Sequence, residues 1–179
     1  MALKVAFLDR DGTLNVDHVY IHRIDQWQLA PRAADAVKVL RKMGFAIGVV
    51  SNQSGVAAGL YSDTEVETLH RHMVEQLASL DAAIDAVAYC PPGRDDACGC
   101  RKPRPGLAHK IAASLPDGID YAMSWSVGDK LSDVEFGRAI GTHTALLRSR
   151  YWDQVPSGCK PDLIVDSLYD AAVKILEMS

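Results

Sequence analysis

A doubly wound α/β fold, with a parallel sheet and crossover helices, is the architecture this sequence predicts. Three observations lead there. Short apolar runs alternate with longer segments of helical periodicity, the order that builds βαβ units. Carboxylate, hydroxyl or lysine residues follow four of those runs, and open α/β sheets carry their sites at strand ends. The 179 residues, 48% apolar and 23% charged, suffice for a real core.

The first strand is expected at 5–8, where Val5-Ala6-Phe7-Leu8 is wholly apolar. A helix at 33–43 should stop at Gly44, a residue suited to a helix end. The second strand, 46–50, contains Ile47-Gly48-Val49-Val50. The helix at 63–80 has the clearest local signal. Ser62 with Glu65 makes a capping box, and Val66, Leu69, Met73, Leu77 and Leu80 follow at helical spacing. Strand 84–89, helix 106–114, strand 124–127, helix 132–140, strands 144–147 and 163–165, and helix 168–178 complete the alternation. Stretches 16–28, 53–61, 91–105 and 148–161 have no regular pattern.

About forty residues separate Asp9 from Ser51 and about fifty separate Ser51 from Lys102, and a loop, helix and strand fill each interval. No second folded domain is therefore expected over the strand ends. The expectation is a single domain, 1–179, with a cysteine-rich loop insertion at 90–105. Loops, 16–28 foremost, are expected to set specificity.

Composition excludes several classes. A net charge of −4 argues against a nucleic-acid partner. No apolar run of about 18 residues marks a membrane span. Met1-Ala2-Leu3-Lys4 leads straight into the first strand without signal-peptide features, which points to the cytoplasm. Nothing requires a dimer, so a monomer is expected.

The chemistry sits in four pieces. The first is Asp9-Arg10-Asp11-Gly12-Thr13. Side chains at i and i+2 of an extended segment point the same way, so Asp9 and Asp11 face one centre. One carboxylate can attack while the other moves a proton, and a divalent cation can be held there. Ser51-Asn52-Gln53-Ser54-Gly55, Arg101-Lys102-Pro103 and Gly128-Asp129-Lys130-Leu131-Ser132-Asp133 follow. A calcium loop starting at Asp9 would need glycine and glutamate where Leu14 and Tyr20 stand. Asp133 is left open, between a bond to Lys102 or Ser51 and a place in a helix first turn.

These four pieces, in this order, resemble the haloacid dehalogenase superfamily of phosphatases. The resemblance implies a capless version of its doubly wound fold, a magnesium-dependent reaction and an aspartyl-phosphate intermediate. It makes Asp9 the nucleophile and Asp11 the acid and base. Ser51 and Lys102 become donors to the phosphoryl oxygens, and magnesium is held by Asp9, Asp129 and the Asp11 backbone carbonyl. Hard oxygen ligands suit that ion. The lysine and the metal offset repulsion between a carboxylate and a phosphate dianion.

Three of the four cysteines, Cys90, Cys98 and Cys100, crowd together; in a cytosolic chain this reads as metal binding. Cys90-Pro91-Pro92 and Cys98-Gly99-Cys100-Arg101-Lys102-Pro103 resemble the branch of heptose bisphosphate and histidinol-phosphate phosphatases, whose loop binds zinc through three cysteines and a histidine. Pro92 stands at the histidine position, so the expected zinc lacks a fourth ligand, for which His109 or water is a candidate. Arg101, Asp17-His18-Val19-Tyr20, Asn52, Gln53, Ser54 and Lys130 resemble substrate contacts of the heptose family. The expected substrate is a small phosphorylated sugar, a heptose bisphosphate of lipopolysaccharide core synthesis. The alternatives are histidinol phosphate, a nucleic-acid 3′-phosphate, or a zinc-loop binding module. His70 and His72 are expected on the surface of the second helix.

Overall fold

The computed structural model describes residues 2–93 and 97–178. The apolar runs form β1 (Val5–Leu8), β2 (Ala46–Asn52), β3 (Ala86–Cys90), β4 (Trp125–Gly128), β5 (His143–Leu147) and β6 (Leu163–Val165). They make one six-stranded sheet in the order β3-β2-β1-β4-β5-β6, with every pairing parallel. The helices are α1 (Ala33–Lys42), α2 (Asp63–Ser79), α3 (Gly106–Ser114), α4 (Leu131–Ile140) and α5 (Leu168–Glu177). The predicted doubly wound fold is therefore what the chain adopts.

Alternate residues of β1 serve opposite faces of the sheet. Ala6 and Leu8 enter a core shared with α1, α2 and α5, while Val5 and Phe7 enter one shared with α3 and α4. Phe7 meets Phe136 of α4 edge to face, with ring centroids 6.0 Å apart. Gly44, at φ 85°, lets the chain leave α1 for β2. Ser62 accepts from the Glu65 amide and Glu65 returns a bond to the Ser62 amide, the expected capping box.

Two boundaries differ in ways that bear on the site. β2 extends through Ser51 and Asn52, because both keep pairing with Tyr89 and Cys90 of β3. β3 starts at Ala86 rather than at 84, because the Asp85 carboxylate accepts the Ile47 amide at 2.7 Å and Arg41 at 2.7 Å instead of continuing the ladder. Sequence periodicity also shows no sign of the short 3₁₀ turns Ile24–Gln26 and Tyr121–Met123. Among the described residues no helix is long and apolar enough to cross a membrane.

Winding runs outward from β1 through β2 to β3, then restarts beside β1 with β4. Such a reversal leaves a crevice beyond the carboxyl ends of β1 and β4. Asp9 follows β1, and Asp129 follows β4.

Candidate active site

Lys102 is the centre of the buried charge. Its Nζ donates to Asp9 Oδ1 at 2.8 Å, Asp133 Oδ1 at 2.6 Å and the Val50 carbonyl at 2.8 Å. That uses all three donors of the ammonium. Burial opposes its charge, but the Asp133 and Asp9 carboxylates outweigh burial and raise its proton affinity. Asn52 sets where the lysine starts: its Oδ1 accepts the Lys102 amide at 2.9 Å and its Nδ2 donates to the Lys102 carbonyl at 3.2 Å. Asp133, left open by the sequence, bonds Lys102 and accepts the Lys130 amide at 3.0 Å.

Carboxylate oxygens of Asp9, Asp129 and Asp133 lie within 4.8 Å of one another, all three residues buried. Burial and the Asp9 charge push the Asp129 carboxyl up to about 7. Burial also raises Asp9, against the pull of Lys102. Buried hard anionic oxygens whose proton affinity is raised by a neighbouring carboxylate, Asp129 by Asp9 and Asp9 by Asp133, fit a divalent cation such as magnesium. The backbone leaves room for them. A Cβ on Gly12, itself at φ 85°, would stand 2.3 Å from Asp129 Oδ2, and one on Gly128 would stand 2.2 Å from the Asp133 carboxyl.

The Asp11 carboxylate is outside that trio. Arg10 Nε and Nη2 donate to its two oxygens at 3.1 and 2.8 Å, Gln53 Nε2 donates at 2.9 Å and Asn15 Nδ2 at 3.2 Å. Burial works to raise this carboxyl, but the Arg10 charge and these bonds hold it below the usual carboxylate range. Of Asp11, the backbone carbonyl is then the atom left for the metal, as the resemblance implies.

Behind Asp11, Arg10 is wholly buried and also bonds the Ile21 carbonyl, Gln53 Oε1 and His70 Nε2. His70 is only 6% exposed, which corrects the surface reading of this helix residue. Its partner explains the correction: an arginine donor needs an acceptor, which fixes Nε2 as unprotonated. His72, from the same reading, is half-buried.

A cavity of about 670 Å³ opens over these groups. Asp17, Val19 and Tyr20 line it, as do Asn52, Gln53 and Ser54, and Arg101 and Lys130. His18 does not; it lines a separate depression with Trp27. Ser51 is fully buried and its Oγ accepts from Gln53 at 2.6 Å. Lys130 Nζ donates to Asp129 Oδ1 at 3.0 Å and lies 4.0 Å from Asp9 Oδ2.

Close in sequence to Lys102, Cys90, Cys98 and Cys100 bring their sulfurs within 4.8 Å of one another. Cys90 and Cys100 stand as a disulfide, with Cys98 Sγ 3.6 Å from Cys90 Sγ. Sulfur convergence fits zinc once the pair is reduced, since thiolates on one ion lie about 3.8 Å apart at normal bond lengths. The Arg101 amide, ahead of the Cys100 amide and the Arg104 charge, holds the Cys98 thiol below its usual range. Among the described residues His109 is not in the group.

Sequence reading missed Arg10, His70, Tyr151, Trp152 and Tyr61, whose hydroxyl donates to Gln53 Oε1 at 2.9 Å in the cavity wall. Arg10 had a visible signal, a cation between two candidate catalytic carboxylates. Tyr151 and Trp152 had none, because their segment lacks any pattern.

Comparison with known proteins places the chain in a family. The HAD-hydrolase-like family model matches residues 99–171, and the fold and relatives define a phosphatase of the haloacid dehalogenase superfamily. A D-glycero-beta-D-manno-heptose-1,7-bisphosphate 7-phosphatase of Escherichia coli O6:H1 is 43% identical over 153 residues, covering 82% of this chain and 80% of that protein. One of the same name from Pseudomonas putida is 33% identical over 177 residues, covering 97% of this chain and all of that protein. The crystal structure of a D,D-heptose 1,7-bisphosphate phosphatase from B. bronchiseptica, complexed with magnesium and phosphate, superposes with a TM-score of 0.85. It is 29% identical and covers 99% of this chain and 100% of its own. The chain belongs to the D-glycero-beta-D-manno-heptose-1,7-bisphosphate 7-phosphatase family. Histidinol phosphate is not favoured by these relatives.

Proposed function

We propose that this chain is a magnesium-dependent phosphatase that removes the 7-phosphate of D-glycero-D-manno-heptose 1,7-bisphosphate. The observation that carries the reading is a buried Asp9 bonded to Lys102 beside Asp129, in a chain 43% identical to enzymes of that name.

Asp9 is the nucleophile. Its carboxylate oxygen bonds to phosphorus as the bond from phosphorus to the C7 oxygen breaks. Asp11 gives that oxygen a proton, then takes one from the water that attacks the phosphoaspartate, and inorganic phosphate leaves. Arg10 holds Asp11 ionised at rest, the state the second step needs. A dianionic substrate beside it raises its proton affinity for the first. Lys102 keeps Asp9 in place and offsets charge on the phosphoryl oxygens. Ser51 serves the same oxygens through its hydroxyl proton, which the bond accepted from Gln53 leaves free. Magnesium, held by Asp9, Asp129 and the Asp11 carbonyl, supplies charge neutralisation at the transferring phosphoryl group. The cavity's Arg101, Lys130, Asp17, Val19, Tyr20, Asn52, Gln53 and Ser54 then serve the sugar and its second phosphate. His18 is proposed here as a support of that loop.

The proposal takes 1–179 as one domain and as a cytoplasmic monomer, with no nucleic-acid or membrane partner. Zinc held by reduced Cys90, Cys98 and Cys100 with a further ligand is part of it. The test is kcat/KM with magnesium on heptose 1,7-bisphosphate and on histidinol phosphate. A large advantage for the bisphosphate is expected, and the reverse preference overturns the substrate. Asp9→Asn should abolish turnover and keep the fold; retained turnover would remove Asp9 as nucleophile.

A further inference from the structure

The segment after β5 gave no motif, yet it runs over the catalytic crevice. Ser149 Oγ donates to the Asp129 carbonyl at 2.7 Å, and Trp152 Nε1 donates to the same carbonyl at 3.1 Å. Between these two pins, the Tyr151 hydroxyl donates to Asp17 Oδ2. Arg150 Nη2 donates to the Asp17 carbonyl at 3.3 Å and lies 3.7 Å from Asp17 Oδ2. The Tyr151 ring carries Lys130 Nζ 4.4 Å from its centroid. Tyr151, Asp17 and Lys130 all line the cavity that holds Asp9.

Asp17 also shapes its own loop. Its Oδ1 accepts the Val19 amide at 2.8 Å, and Val19 and Tyr20 follow at φ 60° and 54°. A β-branched residue in the left-handed region is rare, and backbone strain of this kind persists where the surroundings over-determine it, often at ligand sites.

The geometry points to Tyr151, held in place by Asp17, as a further specificity-determining residue for the sugar part of the substrate. Any phosphate monoester can present its phosphoryl group to Asp9, so discrimination falls to residues that touch the remainder of the substrate. Tyr151 and Asp17 offer an aromatic ring, a hydroxyl and a carboxylate, groups suited to a polyhydroxylated carbon chain. They come from segments far apart in sequence and are tied by one hydroxyl-to-carboxylate bond. Among the described residues no second domain stands over the strand ends, and this tie supplies part of the cavity wall.

The inference rests on the heptose bisphosphate reading. It is tested by kcat/KM for heptose 1,7-bisphosphate and for p-nitrophenyl phosphate, in the parent chain and in Tyr151→Ala, Tyr151→Phe and Asp17→Asn. The ratio of sugar to aryl activity should fall about tenfold or more in Tyr151→Ala, through KM for the sugar rather than kcat. Tyr151→Phe and Asp17→Asn, which each weaken the tie and keep the ring, should show a smaller fall of the same kind. An unchanged ratio in Tyr151→Ala overturns the inference. So does an equal fall on both substrates through kcat, because the segment would then act only by holding Asp129. A parent chain without preference for the bisphosphate overturns the substrate reading itself, and that result appears before any variant is compared.

Discussion

Arg10 closes as a fork on the carboxylate of its own neighbour, with Nε 3.1 Å from Asp11 Oδ1 and Nη2 2.8 Å from Asp11 Oδ2. A bidentate pair fixes both the charge and the plane of a carboxylate. The fork is anchored from behind by Ile21, Gln53 and His70, so Arg10 works as a positioning residue for Asp11. Arg10→Lys keeps the charge and loses the plane. It should lower kcat by about a hundredfold, the scale of a misplaced general acid, with KM little changed. Arg10→Ala should in addition cost on the order of 3 kcal/mol of stability, because buried partners lose their donor. Steady-state kinetics and denaturant unfolding check both. A Lys variant with the parent kcat would remove Arg10 from the positioning of Asp11.

His70 makes stability depend on acid. Burial first, and then the Arg10 charge, lower its folded-state pKa to about 3 from the ordinary 6.5. The folded state thus binds fewer protons than the unfolded state between those values. Its contribution is complete above about pH 6.5 and is lost as pH falls from there towards 3, at up to about 1.4 kcal/mol per pH unit. His70→Gln carries no titrating group, so the stability gap between parent and variant should close as pH drops from 7 to 5. Urea unfolding at several pH values measures it. A gap independent of pH would mean that His70 has the same proton affinity in the folded and unfolded protein.

Fold and site were legible to different depths in the sequence, for physical reasons. Strand and helix order came from apolar periodicity, which the sheet order then fixed in space: the wholly apolar run Val5–Leu8 marked a strand, and only the structure divides it, Val5 and Phe7 to one face and Ala6 and Leu8 to the other. Lys102 reaching Asp9 was legible only through the ordered motif set, because their side chains meet across 93 residues of sequence. Two kinds of residue stayed hidden. His70 lies on the buried face of its helix, beside Val66, Leu69, Met73 and Leu77, but the polar partner that satisfies it there is Arg10, 60 residues away. Tyr151 is in a segment whose course depends on two bonds to one backbone carbonyl, and a carbonyl is the same at every residue.

Magnesium affinity should rise with pH. Burial and Asp9 push the Asp129 carboxyl up to about 7 in the metal-free protein, while the metal takes the ionised form. Below pH 7 binding must displace a proton, so affinity should climb by up to about tenfold per pH unit and level off above 7. Removal of magnesium should abolish turnover, and the apparent activation constant should follow the same curve. Titration calorimetry at pH 6, 7 and 8 in buffers of different ionisation enthalpy reads both affinity and proton release. Affinity constant across that range would show that Asp129 is already ionised before the metal arrives.

The cysteine cluster couples to catalysis through chain connectivity. Cys100 is two residues before Lys102, and Asn52 holds the Lys102 backbone from the β2 side. Zinc on Cys90, Cys98 and Cys100 would fix the other side of the segment, because metal binding constrains the backbone that carries its ligands. Protein prepared under reducing conditions should contain close to one zinc per chain. Cys98→Ser, which removes a thiolate ligand and leaves Cys90 and Cys100 in place, should lose most of the metal and lower kcat severalfold, while magnesium affinity changes little because Asp9 and Asp129 are untouched. Elemental analysis and kinetics on the same samples check this. A parent protein with far less than one zinc per chain, and a Cys98→Ser variant as active as the parent, would leave the cluster a thiol and disulfide staple with no metal.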